Sequence, residues 1–181
     1  GVGAFADCMR GLSALDGMLS ALEEEVRGRQ KNFLGICVGM QMLFEKGHEH
    51  GVHKGLGWLE GEVVPLRIQD PGSRIQEKKS STSLNPESRI LNPLKIPHMG
   101  WNELTRTREH ALFSGVKNGA HAYFVHSYHA VCRNSEDVIA TTEYGQTVTA
   151  VVARDNIMGV QFHPEKSQET GLALLTNFLA L

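Results

Sequence analysis

The sequence predicts a single α/β domain of three layers, in which a mostly parallel central sheet lies between helices. Short β-branched or aromatic runs in the second half predict strands, and apolar residues recur at helical spacing near both ends. The chain has 181 residues, 41% of them hydrophobic, which is enough for one substantial core and too few for two ordinary domains. Residues 1–181 are therefore expected to form one domain.

The first part of the chain predicts a helix, then a strand, a turn and a second helix. Leucine and methionine residues recur at helical spacing between Leu12 and Leu22, and Gly28 is the expected end of that helix. The apolar run at 33–36 predicts a strand, and apolar residues at 40–44 predict the helix that follows. No strand leads into the glycines at the start of the sequence, so the N-terminus is expected to be incomplete.

The middle of the chain differs in composition from the rest. Residues 69–95 are rich in Ser, Asn, Pro, Lys and Glu and poor in apolar residues, which predicts a flexible surface insertion. After it come four runs that predict strands, at 123–126, 138–140, 147–153 and 157–162. Residues 171–181 return to helical spacing and predict a last helix.

Composition excludes several classes of function. The formal net charge is -2, from 18 basic and 20 acidic residues, so no nucleic-acid partner is expected. No apolar run reaches the roughly 18 to 20 residues that cross a bilayer, and no leader opens the chain, so a cytoplasmic protein without a membrane partner is expected. The cysteines are odd in number and irregularly spaced, which fits neither a disulfide framework nor a zinc site: Cys8, Cys37 and Cys132. No metal or cofactor is predicted.

Cys37 is the strongest candidate for a nucleophile. It stands at the predicted strand-to-helix junction, with Gly35 and Gly39 one position removed on each side, as in a nucleophile elbow. We expect these glycines to be needed because neighbouring chains leave no room for side chains. The backbone amide of Val38 would then supply half of an oxyanion hole. The plainer alternative is that Cys37 is a small buried residue at a tight turn.

His163 is the predicted base for such a thiol. It follows the apolar run at 157–162, and Glu165 lies two residues later, where an extended chain would place both side chains on one side. The plainer alternative is a strand end followed by a turn with an exposed carboxylate. His126 and His129 are read as core or rim histidines, since neither has a carboxylate nearby in sequence. Residues 97–102 predict a shaped loop.

Two motifs together carry a family resemblance. Gly-Ile-Cys-Val-Gly-Met-Gln at 35–41 and His-Pro-Glu-Lys-Ser at 163–167 resemble the class I glutamine amidotransferases, whose fold is flavodoxin-like. Within that class, the segments at 1–5, 97–102 and 123–128 look like the glutaminase subunits of imidazole glycerol phosphate synthase, which act in histidine biosynthesis.

The resemblance implies a role for each matching residue. Cys37 would be the nucleophile that forms a thioester with glutamine, His163 the general base and acid, and Glu165 the residue that orients His163. The oxyanion strand would include Val2 and Gly3, beside the amide of Val38. Side chains that hold glutamine would be Gln41, Ser127 and Tyr128. The partner interface would include Pro97, Met99, Trp101, Tyr123 and Lys166.

The same resemblance implies a protein partner. Glutaminases of this kind sit over the open end of a (β/α)₈ cyclase, and ammonia passes through that barrel. The family has a strand and a helix before the oxyanion strand, and the resemblance implies that the fold of this chain lacks them. The family also has a shorter connection where residues 69–95 lie here. An exposed Trp and Met beside the active site would suit such a partner surface.

Two other functions stay open at this point. Another enzyme with the same Cys-His-Glu architecture, such as an amidotransferase for a different synthase or a γ-glutamyl peptidase, would have an identical triad. A catalytically silent partner subunit would bind the cyclase and release no glutamate. Activation by the cyclase would argue against a different enzyme of this architecture. Turnover of glutamine would argue against a silent subunit.

Overall fold

The computed structural model describes residues 3–67 and 95–181. Val2 and the predicted insertion at 69–95, apart from Lys95, lie outside these ranges. The helices are α1 (Phe5–Ser13), α2 (Met18–Leu22), α3 (Val38–Gln41) and α4 (Gln168–Leu179). The strands are β1 (Phe33–Ile36), β2 (Phe44–Gly47), β3 (His53–Lys54), β4 (Leu59–Pro65), β5 (His98–Glu103), β6 (Thr105–Arg106), β7 (His121–His126), β8 (Tyr128–Cys132), β9 (Val138–Glu143), β10 (Thr147–Arg154) and β11 (Ile157–Val160).

The central sheet has the strand order β1-β11-β10-β9-β6. Strand β1 runs parallel to β11, with Phe33 opposite Ile157 and Ile36 opposite Val160. This register brings the ends of both strands to the same edge of the sheet. Cys37 follows β1 directly and His163 follows β11 by three residues, so the sheet places the two predicted catalytic residues at one edge.

The prediction of a mostly parallel sheet is wrong for the described strands. Only β1 with β11 and β2 with β4 run parallel, and every other described pair is antiparallel. The reason is the length of the connections. Residues 144–146 join β9 to β10, and Asp155 and Asn156 join β10 to β11. A parallel crossover needs about a dozen residues or more, so these short turns enforce antiparallel neighbours.

Two smaller sheets complete the described strands. One has the order β3-β2-β4-β8, and the other is the antiparallel pair β5 and β7. Residues 98–102 therefore form most of a strand, which corrects the prediction of a loop at 97–102. The buried side chains Phe124 and Ala122 anchor β7 in the core, whereas its partner β5 carries the exposed side chains Met99 and Trp101.

Apolar side chains pack on both faces of the central sheet, as the three-layer prediction requires. On β10, Val151 belongs to a core that includes Leu174 of α4, whereas its neighbour Val152 belongs to a second core with Phe5 of α1. Alternation along one strand thus assigns each face its own helical layer. None of the helices within the described ranges is long and apolar enough to cross a membrane.

The predicted boundaries hold best for strands. Strand β1 has the predicted bounds, and the four later runs form β7, β9, β10 and β11. The first helix differs, because α1 starts at Phe5 and a turn with left-handed Gly17 separates it from α2. A π-helical segment then ends at Gly28, as expected. The helix predicted at 40–44 ends early because Phe44 joins β2, which pairs with β4.

Candidate active site

Cys37 sits in a strained turn between β1 and α3. Its backbone has φ 53° and ψ -113°, a conformation that residues other than glycine rarely adopt. The Cys37 amide donates to the Val160 carbonyl at 2.8 Å, which continues the pairing of β1 with β11. A Cβ at Gly35 would lie 2.6 Å from the Gly39 carbonyl oxygen. Position 35 must therefore be glycine for the turn to close.

The two flanking glycines are not equivalent. A Cβ at Gly39 would meet no described heavy atom within 4 Å. The expectation that both positions lack room is correct for Gly35 and wrong for Gly39. Sequence cannot separate them, since the difference depends on which atoms the fold brings against each position.

The Cys37 thiol lies in a mostly dry environment. Cys37 is 7% exposed, and this burial raises the pKa of its thiol. The backbone amide of Val38, which is directed at the sulfur, opposes that rise in pKa. The sulfur is 4.0 Å from the Val125 carbonyl oxygen and 3.8 Å from Gln161 Nε2. A thiol in such a site needs a base to become nucleophilic.

The hydrogen bonds of His163 suit it to act as such a base. Its Nδ1 is 2.7 Å from Glu165 Oε1, so Nδ1 carries the proton and donates to the carboxylate. Its Nε2 is buried and has no hydrogen-bond partner among the described residues. An imidazole held in this tautomer presents an unoccupied lone pair at Nε2, which is the atom that can take a proton.

The backbone conformation that brings Glu165 to His163 differs from the expected one. Residues Pro164–Lys166 form a 3-10 turn, whereas the prediction assumed an extended chain. Proline at the first position of this turn favours it. Partial burial opposes ionisation of Glu165, but hydrogen bonds from His163 and from its own amide outweigh burial, and the pKa of Glu165 lies below its usual value. The carboxylate is therefore ionised at neutral pH.

Ser167 and α4 hold the His163 turn in place. The buried Ser167 hydroxyl donates to the His163 carbonyl at 2.7 Å and accepts from the Tyr123 amide at 2.9 Å. A Cβ at Gly171 would lie 1.9 Å from the Pro164 carbonyl oxygen, so α4 packs against the turn at backbone distance. Ser167 is the last residue of the His-Pro-Glu-Lys-Ser motif, so the sequence pointed to it. Nothing in the sequence indicated that position 171 must be glycine.

Strand β7 brings the Cys37 and His163 turns together. The Tyr123 carbonyl accepts from the His163 amide at 2.9 Å, and the Val125 carbonyl faces the Cys37 sulfur. These two β7 residues are two apart, so their carbonyls project on the same side of the strand. The structure thus places Cys37 and the His163–Glu165 pair against the same strand, β7.

The predicted glutamine contacts lie close to this site. Gln41 is buried and its Nε2 donates to the Tyr128 carbonyl at 2.9 Å and to Gln161 Oε1 at 3.0 Å. Ser127 and Tyr128 are half-buried at the end of β7 and the start of β8. Gln161 was missed by sequence reasoning. The sequence signal was a single glutamine within an apolar run, two residues before His163; the structure adds that this side chain is fully buried.

The predicted oxyanion residues are only partly described. Val2 lies outside the described ranges, and Gly3 is exposed with φ 150°. A Cβ at Gly3 would lie 3.0 Å from the Cys8 sulfur, and Cys8 is near enough to Cys37 to raise the pKa of its thiol slightly. The start of the chain therefore lies on the Cys37 side, and the fully buried Phe5 anchors it in the second core.

The predicted interface residues share one surface. Met99 and Trp101 are 62% and 48% exposed on β5, and Trp101 meets the Tyr123 ring edge-on at a centroid distance of 5.9 Å. The Lys166 ammonium lies 6.0 Å from the centroid of the same ring. Pro97 precedes β5 and is also exposed. The patch adjoins the turn that carries His163.

The histidines at 48, 50 and 53 belong to no metal-ligating group among the described residues. His48 Nε2 is 2.7 Å from Glu62 Oε2, and no group of metal-ligating side chains occurs among residues 3–67 and 95–181. His53 lies in β3, and His50 lies between β2 and β3.

The fold is that of known amidotransferases. The chain superposes on a glutamine amidotransferase from Thermotoga maritima with a TM-score of 0.57 and 15% identity, over 99% of this chain and 60% of that one. A protein from Thermoplasma acidophilum described as a GMP synthase subunit gives a TM-score of 0.54 and 16% identity, over 93% and 66%. The family model described as glutamine amidotransferase class-I matches residues 2–181. The chain therefore belongs to the class-I glutamine amidotransferase family.

Sequence relatives identify the group within that family. The chain is 51% identical over 182 residues to the imidazole glycerol phosphate synthase subunit HisH of Agrobacterium fabrum, and 50% identical over 182 residues to that of Rhizobium meliloti. Each match covers 99% of this chain and 74% of the relative. Within the amidotransferases the chain belongs to the HisH group.

Proposed function

We propose that this chain is a glutaminase subunit of imidazole glycerol phosphate synthase that hydrolyses glutamine at Cys37 through a Cys37-His163-Glu165 triad. The observation that carries the proposal is the buried Nε2 of His163, which has no partner among the described residues while Nδ1 is committed to Glu165. A buried nitrogen without a partner lowers stability, and a catalytic role explains why such a cost is retained.

The chemistry follows from this arrangement. The Cys37 thiol gives its proton to His163 Nε2, and the sulfur attacks the side-chain carbonyl carbon of glutamine. The amide of Val38 stabilises the negative charge that develops on the oxygen. The tetrahedral intermediate collapses as His163 returns the proton to the departing nitrogen, which leaves as ammonia. Water, deprotonated by His163, then attacks the thioester carbon. The carbon–sulfur bond breaks, His163 returns the proton to the Cys37 sulfur, and glutamate leaves.

Glu165 keeps the histidine suited to both steps. By accepting from Nδ1 it fixes the tautomer, so Nε2 is free to take the proton, and its charge favours the imidazolium that forms. Glutamine would lie between Cys37 and the half-buried residues Ser127 and Tyr128, with Gln41 behind them. Gly3 and Val2 are proposed to complete the oxyanion site.

The partner is proposed to be a (β/α)₈ cyclase that receives the ammonia. The exposed patch of Met99, Trp101, Tyr123 and Lys166 supports this, because exposed aromatic and Met side chains beside a reactive site are typical of partner surfaces. The Trp101→Ala substitution is expected to weaken cyclase binding about tenfold or more without lowering the melting temperature of the chain. The control is Leu172→Ala, which removes another exposed apolar side chain, from α4; Leu172 is 64% exposed and Trp101 48%.

The direct test is release of glutamate from glutamine by the chain, alone and with the cyclase plus its nucleotide ligand. The proposal expects turnover that the cyclase increases and that Cys37→Ala abolishes. Cys132→Ala is the matched control, since Cys132 is half-buried in β8 and burial raises the pKa of its thiol to about 12. Turnover that survives Cys37→Ala would refute the triad. A folded, cyclase-bound chain without turnover would identify a silent subunit.

A further inference from the structure

Two buried histidines next to the proposed site make hydrogen bonds to each other and to its supporting residues. His98 and His126 are opposite each other on β5 and β7, with exposures of 2% and 6%. His98 Nδ1 is 3.0 Å from His126 Nε2. The His98 ring is stacked between Phe124 at 4.7 Å and Tyr144 at 3.9 Å, centroid to centroid. The proposed mechanism uses neither histidine.

The direction of every hydrogen bond in this group is fixed by its neighbours. His126 Nδ1 is 2.8 Å from the Tyr128 carbonyl, which can only accept, so Nδ1 carries the proton. Its Nε2 then accepts from His98 Nδ1. The remaining His98 atom, Nε2, accepts from Asn102 Nδ2 at 3.2 Å. Both rings are therefore neutral, and each uses both nitrogens.

The same chain of bonds continues to Cys37. The Tyr128 carbonyl also accepts from Gln41 Nε2, whose second hydrogen goes to Gln161 Oε1. With its oxygen committed to Gln41, Gln161 presents Nε2 to the Cys37 sulfur at 3.8 Å. The Tyr128 carbonyl is free for these bonds because it points away from β4: the neighbouring Ser127 carbonyl accepts from the Leu66 amide of that chain segment at 2.9 Å, and successive carbonyls alternate in direction along a strand.

We propose that His98 and His126 are positioning residues, which act through the Tyr128 carbonyl and Gln41 to keep Gln161 Nε2 aimed at the Cys37 sulfur. This relay, from Asn102 to Gln161, rests on the proposed role of Cys37 as the nucleophile. A donor held beside the sulfur favours the thiolate over the thiol, and it costs no reorganisation when the charge forms.

Neutral rings are what this role requires. Burial lowers the pKa of His98 to about 4 and that of His126 to about 3. Protonation of His126 would convert Nε2 from acceptor to donor, and two donors would then face each other between the rings. A neutral pair keeps the relay in one direction at every pH at which the enzyme would work.

The test compares three variants in the full chain bound to the cyclase. His126→Phe keeps the ring volume and removes both hydrogen bonds. His126→Asn keeps a donor near the position of Nδ1. His129→Phe is the control, because His129 is buried on β8 and its bond goes to Gln146, outside the relay. The probe is a glutamine chloroketone, and the rate constant for alkylation of Cys37 is measured near pH 7.

His126→Phe is expected to slow alkylation about tenfold or more, while His126→Asn recovers the rate to within about threefold of the parent and His129→Phe leaves it unchanged. Equal slowing by Phe and Asn, or a parent rate for His126→Phe, would overturn the proposal. If Cys37→Ala were alkylated as fast as the parent, the proposed function would fail instead.

A second measurement holds even if His126→Phe does not fold. Long-range ¹H–¹⁵N spectra of the unaltered chain report which ring nitrogen carries the proton. The relay requires the Nδ1–H tautomer at both His98 and His126. An Nε2–H tautomer at either ring would overturn the proposal.

Discussion

The two turns that carry Cys37 and His163 are held in different ways. The Cys37 turn is fixed by backbone contacts, with a strained φ of 53° and no room for a Cβ at Gly35. The His163 turn is fixed by side chains and by an outside helix, through Glu165, Ser167 and the approach of α4 at Gly171. One turn depends on local chain geometry and the other on tertiary packing, so different substitutions should disrupt each.

Gly171→Ala should have the largest effect. The new Cβ would lie 1.9 Å from the Pro164 carbonyl oxygen, so α4 or the His163 turn must shift. We expect a loss of about 3 kcal/mol in the free energy of unfolding and a loss of glutaminase activity of about a hundredfold or more. Gly11→Ala in α1 is the matched control, since a Cβ there meets no described atom within 4 Å. It should stabilise the chain by about 0.5 kcal/mol or more. Equal effects from both glycines would contradict the packing argument.

Gly35→Ala should come next in size. Its Cβ would lie 2.6 Å from the Gly39 carbonyl oxygen, which would open the turn and move the sulfur. A loss of about 2 kcal/mol in the free energy of unfolding is expected, with activity lost out of proportion to stability. Gly39→Ala serves as the control, because its Cβ would enter open space. Urea unfolding and glutamate release measure the two effects, and a Gly39→Ala variant as unstable as Gly35→Ala would show that the flanking glycines are equivalent after all.

A third prediction concerns how stability depends on pH. Burial lowers the pKa of His98 to about 4, against about 6.5 for an unfolded histidine. The unfolded chain therefore binds the extra proton first, and the stability due to the neutral ring is full above about pH 6.5 and is lost as the pH falls towards 4. His98→Phe should flatten this dependence by up to about 1.4 kcal/mol per pH unit between these values.

The measurement for that last prediction is urea unfolding followed by Trp58 fluorescence from pH 4.5 to 7.5. Trp58 is buried, so its emission reports the loss of the second core. Leu104→Val is the control, since it removes a methylene from the first core and adds no titratable group. It should lower stability by about 1 kcal/mol at every pH. A His98→Phe profile parallel to that of the unaltered chain would contradict the assigned charge state.

The sequence predicted the parts of the fold that depend on local patterns. Strand β1 and the later strands followed from β-branched and aromatic runs, and the motifs around Cys37 and His163 identified the site. Their meeting at one sheet edge follows from the parallel register of β1 and β11. Family resemblance supplied the roles, which the spacing alone left open between a triad and two ordinary turns.

What the sequence could not predict depends on contacts between distant segments. The antiparallel strand order, the strand at β5 and the buried pairing of His98 with His126 each join residues far apart in the chain. Gln161 was hidden in an apolar run, where its burial and its bond to Gln41 appear only after folding. Gly39 and Gly171 show the same limit, because available space is a tertiary property.

Strand β7 has one further consequence for a docked partner. Its outward side chain at Tyr123 touches Trp101 and Lys166, while its carbonyls at Tyr123 and Val125 face the histidine backbone and the thiol. The proposed base and the proposed nucleophile are thus both held by the backbone of β7, and a side chain of the same strand belongs to the proposed partner surface. A partner that displaced β7 would therefore move the His163 backbone and the surroundings of the Cys37 sulfur together.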